Sequence, residues 1–235
     1  MKQILIKIPT RDRKIQFFNI LDQYLSLLDE SYKNVTFLLT LDSDDESMND
    51  GDIEKRIKFL YNLYDVPITR YYGESKNKID AVNRDMDTYL GKWDILMLTS
   101  DDMVPVKYGY NKTISDDMEA NFPDLDGILY YPDGFTPLNT LPIIGKKYYE
   151  RFNYIYNPVY ESFFCDNEFH EVADMLCKQK KIANVIIKHM HPCNSATVAN
   201  DVLYSKNQEP WDRDQEIYLK RKLINFDLKV IPNGK

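Results

Sequence analysis

The sequence is poor in several features that define other classes of protein. Its three cysteines are an odd number without Cys-x-x-Cys spacing, so neither a disulfide framework nor a structural zinc site is expected, and a reducing, cytoplasmic location is predicted. No apolar run approaches the roughly 20 residues that cross a bilayer, and the first apolar stretch is too short for a signal peptide. We therefore expect no membrane span.

Basic residues are also in the minority. The 235 residues include 30 Lys and Arg against 37 Asp and Glu, and the net charge of −7 argues against general nucleic-acid binding through phosphate neutralisation. In contrast, 43% of the residues are hydrophobic and 13% are aromatic, which excludes disorder over most of the chain. Because no repeat, low-complexity segment or linker interrupts the sequence, its length predicts a single domain with a sizeable core.

The first 100 residues alternate between short apolar runs and amphipathic stretches. The apolar runs predict strands at 4–8, 35–41, 66–72 and 93–99, and the amphipathic stretches predict helices at 12–29, 52–64 and 78–89. Pro9 is expected to end the first strand, and Pro67 marks the third as an edge strand. This order predicts an α/β fold with a mostly parallel sheet and helices on both faces.

The second half of the chain has a less regular pattern. It predicts strands at 127–131 and 182–189 and helices at 166–179 and 212–224. The intervening segment 132–160 is rich in Pro, Tyr and Asn and is expected to form loops and short elements over the sheet. We expect the charged segments at 116–117 and 211–214 to face solvent.

Acidic residues follow two of the predicted strands. Asp42 and Asp44 come after the second strand, and Asp101 and Asp102 come after the fourth. The carboxyl ends of parallel strands form the edge at which such sheets bind ligands, so these carboxylates are expected to converge. A cation would offset their charge, and Mg²⁺ and Mn²⁺ prefer carboxylate oxygens while leaving coordination positions for phosphate oxygens.

The turns after the first, second and fourth strands form an ordered set at 8–13, 41–45 and 100–102. This set resembles the GT-A fold of nucleotide-sugar glycosyltransferases, and specifically the family-2-like group. The resemblance is clearest over residues 4–104. It implies a Rossmann-like α/β/α domain of three layers, in which residues 1–104 bind the nucleotide and residues 105–235 bind the acceptor.

The resemblance also implies a nucleotide site at this edge of the sheet. Residues after the first strand would line its wall, and the acids after the second strand would contact the base or the ribose. Polar residues between the third and fourth strands would lie near a helix N-terminus, which favours anionic phosphate; solvent-exposed side chains are the alternative for them. The residues in this predicted site are Thr10, Arg11, Asp42, Asp44, Lys78 and Asn83.

A metal site is implied next to the nucleotide site. Asp102 corresponds to the last acid of the family's DxD motif and is the predicted metal ligand, whereas Asp101 would contact the ribose or support the site. Ser100 departs from the motif because it stands where an acid is expected. Several GT-A enzymes bring a late histidine to the metal, so His191 is predicted as a second ligand and His189 as its alternate; the pair would otherwise contact the diphosphate.

Two acids open the helix that is predicted at 166–179. Acids in a first helical turn often only interact with the helix dipole. Inverting family-2 enzymes, however, have an acidic pair here, one member of which deprotonates the acceptor hydroxyl as general base. The resemblance therefore implies Asp166 as the first candidate and Glu168 as the second, although Cys165 stands where the family often has an acid.

These features predict a metal-dependent glycosyltransferase. It would move a single sugar from a nucleotide-diphospho-sugar, with a UDP-sugar as first choice, to a hydroxyl of a glycan, lipid or other acceptor, with inversion and with Mn²⁺ or Mg²⁺ as cofactor. One alternative is a non-catalytic nucleotide-sugar- or glycan-binding protein, which Ser100 and Cys165 favour. The other is a sugar-phosphate nucleotidyltransferase, which usually has a glycine-rich loop after the first strand that this sequence lacks.

Overall fold

The structure is a computed structural model that describes residues 1–29, 31, 33–133, 135–190 and 209–228. The strands in these ranges are β1 (Ile4–Thr10), β2 (Val35–Asp42), β3 (Ile68–Gly73), β4 (Ile95–Leu98), β5 (Met103–Pro105), β6 (Ile128–Tyr130), β7 (Ile143–Gly145), β8 (Gln179–Lys181) and β9 (Ile187–His189). The helices are α1 (Lys14–Ser26), α2 (Gly51–Tyr64), α3 (Lys78–Asn83), α4 (Tyr110–Asn121), α5 (Lys146–Tyr149), α6 (Cys165–Met175) and α7 (Trp211–Leu223), and a 3₁₀ turn follows at Asn225–Asp227.

Seven of these strands form a central sheet with the order β3-β2-β1-β4-β7-β6-β8. The first four strands are mutually parallel, β7 runs antiparallel to both of its neighbours, and β8 is parallel to β6. Strands β5 and β9 form a separate antiparallel ribbon. The predicted α/β fold with a mostly parallel sheet is therefore confirmed, as is the edge position of the third strand.

Helices cover both faces of the sheet. Successive residues of β1 point to opposite faces: Ile4, Ile6 and Ile8 pack in one apolar cluster with α1, α2 and α4, whereas Leu5 packs in a second cluster with α3, α5 and α6. The molecule thus has three layers, with the sheet in the middle. No helix within the described ranges combines the length and the hydropathy needed to cross a membrane.

Pro9 lies inside β1 instead of ending it. The carbonyl of Lys7 accepts a hydrogen bond from the amide of Thr99 at 3.0 Å, on the side of β1 that faces β4. Because alternate residues of a strand point to the same side, the nitrogen of Pro9 also faces this side. Strand β4 has already ended at Leu98, so the missing N–H breaks no ladder hydrogen bond and β1 continues past the proline.

Helix α3 is shorter than the predicted helix at 78–89. It ends at Asn83, because Arg84 turns away from the helix and its guanidinium donates to the carbonyl of Leu41 at 2.7 Å. Asp85 then adopts a left-handed conformation with φ 71°. This turn, which replaces the predicted continuation of the helix, brings two charged side chains to the end of β2.

The second half of the chain differs more from its prediction. The segment 182–189 does not form one strand, because the chain bends at 183–184 and only Ile187–His189 is extended, as β9; strand β8 ends before the segment, at Lys181, and belongs to the other sheet. The segment 132–160 contributes β7 to the centre of the sheet. Helix α4 was not predicted, although its buried side chains recur at the helical spacing of Tyr110, Ile114 and Met118.

Lys7 is fully buried in the middle of β1. Its ammonium group donates to the hydroxyl of Thr40 and to the carbonyl of Arg84, both at 2.6 Å. Burial lowers the pKa of Lys7 to about 7, a shift that the nearby carboxylate of Asp85 opposes. The charged form of this side chain is therefore costly in the folded state.

This cost predicts a pH-dependent stability. Between about pH 7 and pH 9 the unfolded chain binds a proton at Lys7 that the folded chain has released, so the free energy of unfolding should rise by about 2 kcal/mol. Urea denaturation at both pH values would measure the rise, and the variant Lys7→Met should lack it. An equal rise in Lys7→Met would contradict the prediction.

Candidate active site

The carboxyl ends of β1, β2 and β4 bring the predicted acidic turns together. The hydroxyl of Thr10 donates to Asp101 at 3.4 Å, which joins the first turn to the third. The guanidinium of Arg11 donates to Asp42 at 3.0 Å and to both oxygens of Asp44 at 2.6 and 2.9 Å, which joins the first turn to the second. The convergence expected from a parallel sheet is therefore observed.

Asp42 receives hydrogen bonds from three side chains. Arg11 binds one of its carboxylate oxygens, while Ser75 at 2.6 Å and Arg84 at 3.2 Å bind the other. The sequence-based prediction missed Ser75 and Arg84. Arg84 was predicted within a longer helix, and only the early end of α3 brings it to this carboxylate.

The adjacent acids Asp101 and Asp102 have different surroundings. Asp101 is buried and lies 3.0 Å from the guanidinium of Arg13, and burial raises its pKa to about 6 although Arg13 opposes the shift. Asp102 accepts a hydrogen bond from the hydroxyl of Ser100 and lies beside His189. The carboxylate of Asp101 thus pairs with the guanidinium of Arg13, whereas the carboxylate of Asp102 faces the ribbon of β5 and β9.

His189 lies between two buried carboxylates. Its Nε2 atom is 3.6 Å from Asp102, and its Nδ1 atom is 3.9 Å from Asp133. Strand pairing sets this position, because Met103 of β5 is directly opposite His189 of β9. The hydroxyl of Thr140, at 3.0 Å, is among the donors that hold Asp133 in place. The first-choice histidine, at position 191, lies outside the described residues.

The pair of Asp102 and His189 suits a divalent cation. Their nearest atoms are 3.6 Å apart, and two ligands at right angles around a cation of the size of Mg²⁺ lie about 3 Å apart, so a small movement would seat one. The described residues contain no group of three His, Cys, Asp or Glu that could hold a metal. A cation here would need further oxygens, which nucleotide phosphates commonly supply.

Asp166 lies in the first turn of α6, near the same edge of the sheet. Burial raises the pKa of its carboxyl, and electrostatic interactions with Lys78 and His189 and hydrogen bonds from backbone amides act in the opposite direction. Asp166 therefore lies within electrostatic range of both Lys78 and His189. Cys165 is buried beside it, and burial raises the pKa of this thiol well above its ordinary range, so it stays neutral.

Glu168 and Asn83 have structural partners. Both oxygens of Glu168 accept from the guanidinium of Arg221, at 2.7 and 2.9 Å, and Asn157 and Tyr160 also donate to this carboxylate. The carboxamide of Asn83 donates to the carbonyl at position 156 at 2.7 Å and accepts from the amide at position 155 at 2.8 Å. These contacts favour a supporting role for both residues.

Asp214 is buried, contrary to the prediction that residues 211–214 face solvent. Its carboxylate accepts from the backbone amides of Glu161, Ser162 and Phe163 at 2.8 to 3.2 Å. Asp214 therefore fixes the loop that leads into α6, the helix whose first turn contains Asp166. Asp117, also expected in solvent, is half-buried and accepts from Tyr131 at 2.6 Å.

Solved structures share this arrangement of strands and helices. No family model and no curated protein matches the sequence. A mannosyltransferase from Pyrobaculum calidifontis, solved with GDP-Man and Mn²⁺, superposes with a TM-score of 0.69 and 12% identity over 98% of this chain. The chain has a GT-A fold. It spans 66% of that mannosyltransferase, and the remaining third of the mannosyltransferase has no counterpart here.

Two further structures superpose on the GT-A fold of this chain. S. aureus TarS matches 97% of it with a TM-score of 0.61 and 9% identity, and the match spans 46% of TarS. A mutant β-1,4-galactosyltransferase 7 from Drosophila, solved with manganese, UDP-Gal and xylobiose, matches 88% of it and 80% of its own length, with a TM-score of 0.52 and 10% identity. At such low identity the likeness establishes the fold and leaves the activity to be argued from the site.

The contacts of Asp214 predict that it is important for stability. Asp214→Ala should lower the free energy of unfolding by about 3 kcal/mol or more, because it leaves buried amides without an acceptor. Asp212→Ala is the matched control, since Asp212 is exposed on the same turn of α7 and should change stability by less than about 0.5 kcal/mol. Equal effects of the two substitutions in urea denaturation would contradict the prediction.

Proposed function

We propose that the chain is a metal-dependent glycosyltransferase. It would transfer one sugar from a nucleotide-diphospho-sugar to an acceptor hydroxyl with inversion, and a UDP-sugar is the first donor to test. The observation that carries the proposal is the pair of Asp102 and His189 at the carboxyl edge of a GT-A sheet, with Asp166 in electrostatic range of His189 and Lys78. Residues 1–104 would form the nucleotide-binding half and residues 105–235 the acceptor-binding half.

The nucleoside would bind at the ends of β1 and β2. Thr10 and Arg11 form the wall of this region, and Asp42 and Asp44 are the carboxylates available to the base or the ribose. Arg11 already bridges both acids, so the site is held in shape before a ligand arrives. Asp101, paired with a guanidinium, supports this wall from the buried side.

The diphosphate would bind between Asp102 and the start of α3. Asp102 and His189 would hold Mn²⁺ or Mg²⁺, which stabilises the negative charge of the departing diphosphate when it is bound. Asp133 lies 3.9 Å from the Nδ1 atom of His189 and, after a small movement, would accept a hydrogen bond from it, as an outer carboxylate commonly does for a metal-binding histidine. Lys78 adds a positive charge near the same place, and solvent can reach it.

The acceptor would approach Asp166. A carboxylate in this position can take the proton of the acceptor hydroxyl as its oxygen attacks the anomeric carbon. The raised pKa of Asp166 makes it a better proton acceptor than an ordinary aspartate, while Lys78 and His189 favour its ionised form. Glu168 does not share this role in the proposal, because its oxygens are bound to Arg221.

The state of the described cysteines also fits a reducing compartment. Cys165 and Cys177 are free thiols in the structure, and the cytoplasmic location predicted from the cysteine pattern is retained as part of the proposal. The structural neighbours with GDP-Man and with UDP-Gal leave the base open, so both nucleotides belong in the first donor panel.

Release of nucleoside diphosphate from a panel of UDP- and GDP-sugars tests the function. We expect release with MnCl₂ and none with EDTA, and Asp102→Asn should lower the rate by about 10²-fold or more because a metal ligand is lost. Asp212→Asn, on the exposed face of α7, should keep the full rate. Tight donor binding without turnover in the wild type would instead support a non-catalytic binding protein.

A second substitution separates catalysis from donor binding. Asp166→Asn should lower kcat by about 10²- to 10⁴-fold, because the hydroxyl loses its proton acceptor. The affinity for UDP or GDP with MnCl₂, measured by calorimetry, should stay unchanged. An NMR spectrum of the product that shows the donor's anomeric configuration retained would remove Asp166 from the proposed role.

A further inference from the structure

Lys7 has no part in the mechanism above, yet its contacts lead from the core to the nucleotide site. It is one of the largest fully buried side chains, and it lies on the face of the sheet that α3 covers. An apolar side chain could occupy this position without the cost of burying an amine. The specific hydrogen bonds of Lys7 therefore call for an explanation.

Those hydrogen bonds form a chain that ends on a turn. The ammonium group of Lys7 donates to the hydroxyl of Thr40 at 2.6 Å, and this hydroxyl donates to the carboxylate of Asp85 at 2.7 Å. The same ammonium group donates directly to the backbone carbonyl of Arg84 at 2.6 Å. At the turn where α3 ends, Lys7 thus binds Arg84 directly and Asp85 through the hydroxyl of Thr40.

The side chain of Arg84 extends from this turn into the nucleotide site. Its guanidinium donates to the carbonyl of Leu41 at 2.7 Å, to the hydroxyl of Ser75 at 2.7 Å and to the carboxylate of Asp42 at 3.2 Å. A guanidinium is planar, so these three bonds fix its orientation only while its backbone stays in place. The backbone is held by the left-handed turn at Asp85 and by Lys7.

We propose that Lys7 is a positioning residue for nucleoside recognition, which it supports by fixing Arg84 against Asp42. The identity of the ligand rests on the proposed function, whereas the effect of Lys7 on the position of Arg84 does not. Lys7 and Thr40 hold the turn, the turn positions the guanidinium of Arg84, and this guanidinium together with Ser75 orients Asp42, the carboxylate that would contact the base or the ribose. The charged groups that face Lys7 are Asp85 and Arg84, both in this turn.

The effect of Lys7 on the position of Arg84 can be tested without a ligand. NMR spectra of the guanidinium group, assigned with Arg84→Lys, should show slowly exchanging Arg84 hydrogens in the wild type. Lys7→Met and Thr40→Val should each speed up their exchange, since each breaks the chain of hydrogen bonds at a different point. Ile6→Ala is the matched control, because Ile6 is equally buried in β1 but packs on the opposite face of the sheet. An unchanged Arg84 signal in both variants would overturn the inference.

Ligand binding supplies the second measurement. With MnCl₂ present, Lys7→Met should weaken the binding of UDP or GDP by about tenfold, as expected for a displaced charge-assisted hydrogen bond, while the binding of inorganic pyrophosphate stays unchanged. A purely structural role would weaken both ligands alike or neither, and either result would overturn the inference. If the wild type bound neither nucleotide, the proposed function would fail, whereas the exchange measurement would still decide whether Lys7 fixes Arg84.

Discussion

The requirement that dominates this molecule is the balance of charge at the carboxyl edge of its parallel strands. Parallel strands deliver the residues that follow them to one place, and here those residues are mostly aspartates. Arginines offset much of the charge: Arg11 lies against Asp42, and Arg13 lies against Asp101. Asp102, in contrast, accepts a hydrogen bond from Ser100 and lies 3.6 Å from the imidazole of His189.

The first half of the fold was predictable because the hydrophobic periodicity and the residues that bound each element agree there. Buried strands alternate with amphipathic helices, and the sheet order follows from this alternation. The second half was harder, because three-residue strands such as Ile143–Gly145 have no period to detect. Pro9 was misjudged for a different reason: the effect of a proline depends on which side of the strand is paired, and only the register with β4 shows that.

The candidate site was predictable where its residues are neighbours in sequence or follow strands. The acidic turns met as expected, and Asp166 interacts electrostatically with His189. The supporting contacts were hidden, because they depend on distant segments. Asp214 reaches back across about fifty residues to hold the loop before α6, and nothing in its local charged pattern distinguishes it from a solvent-exposed acid.

The small ribbon of β5 and β9 sets the position of His189 relative to Asp102, the pair proposed to hold the cation. It joins the acidic turn after β4 to a strand more than eighty residues later, yet it makes no ladder with the central sheet. A cation held by Asp102 and His189 would act as a clasp across this ribbon. The spacing of these two side chains therefore depends on the pairing of Met103 with His189, which is separate from the hydrogen bonds of the seven-stranded sheet.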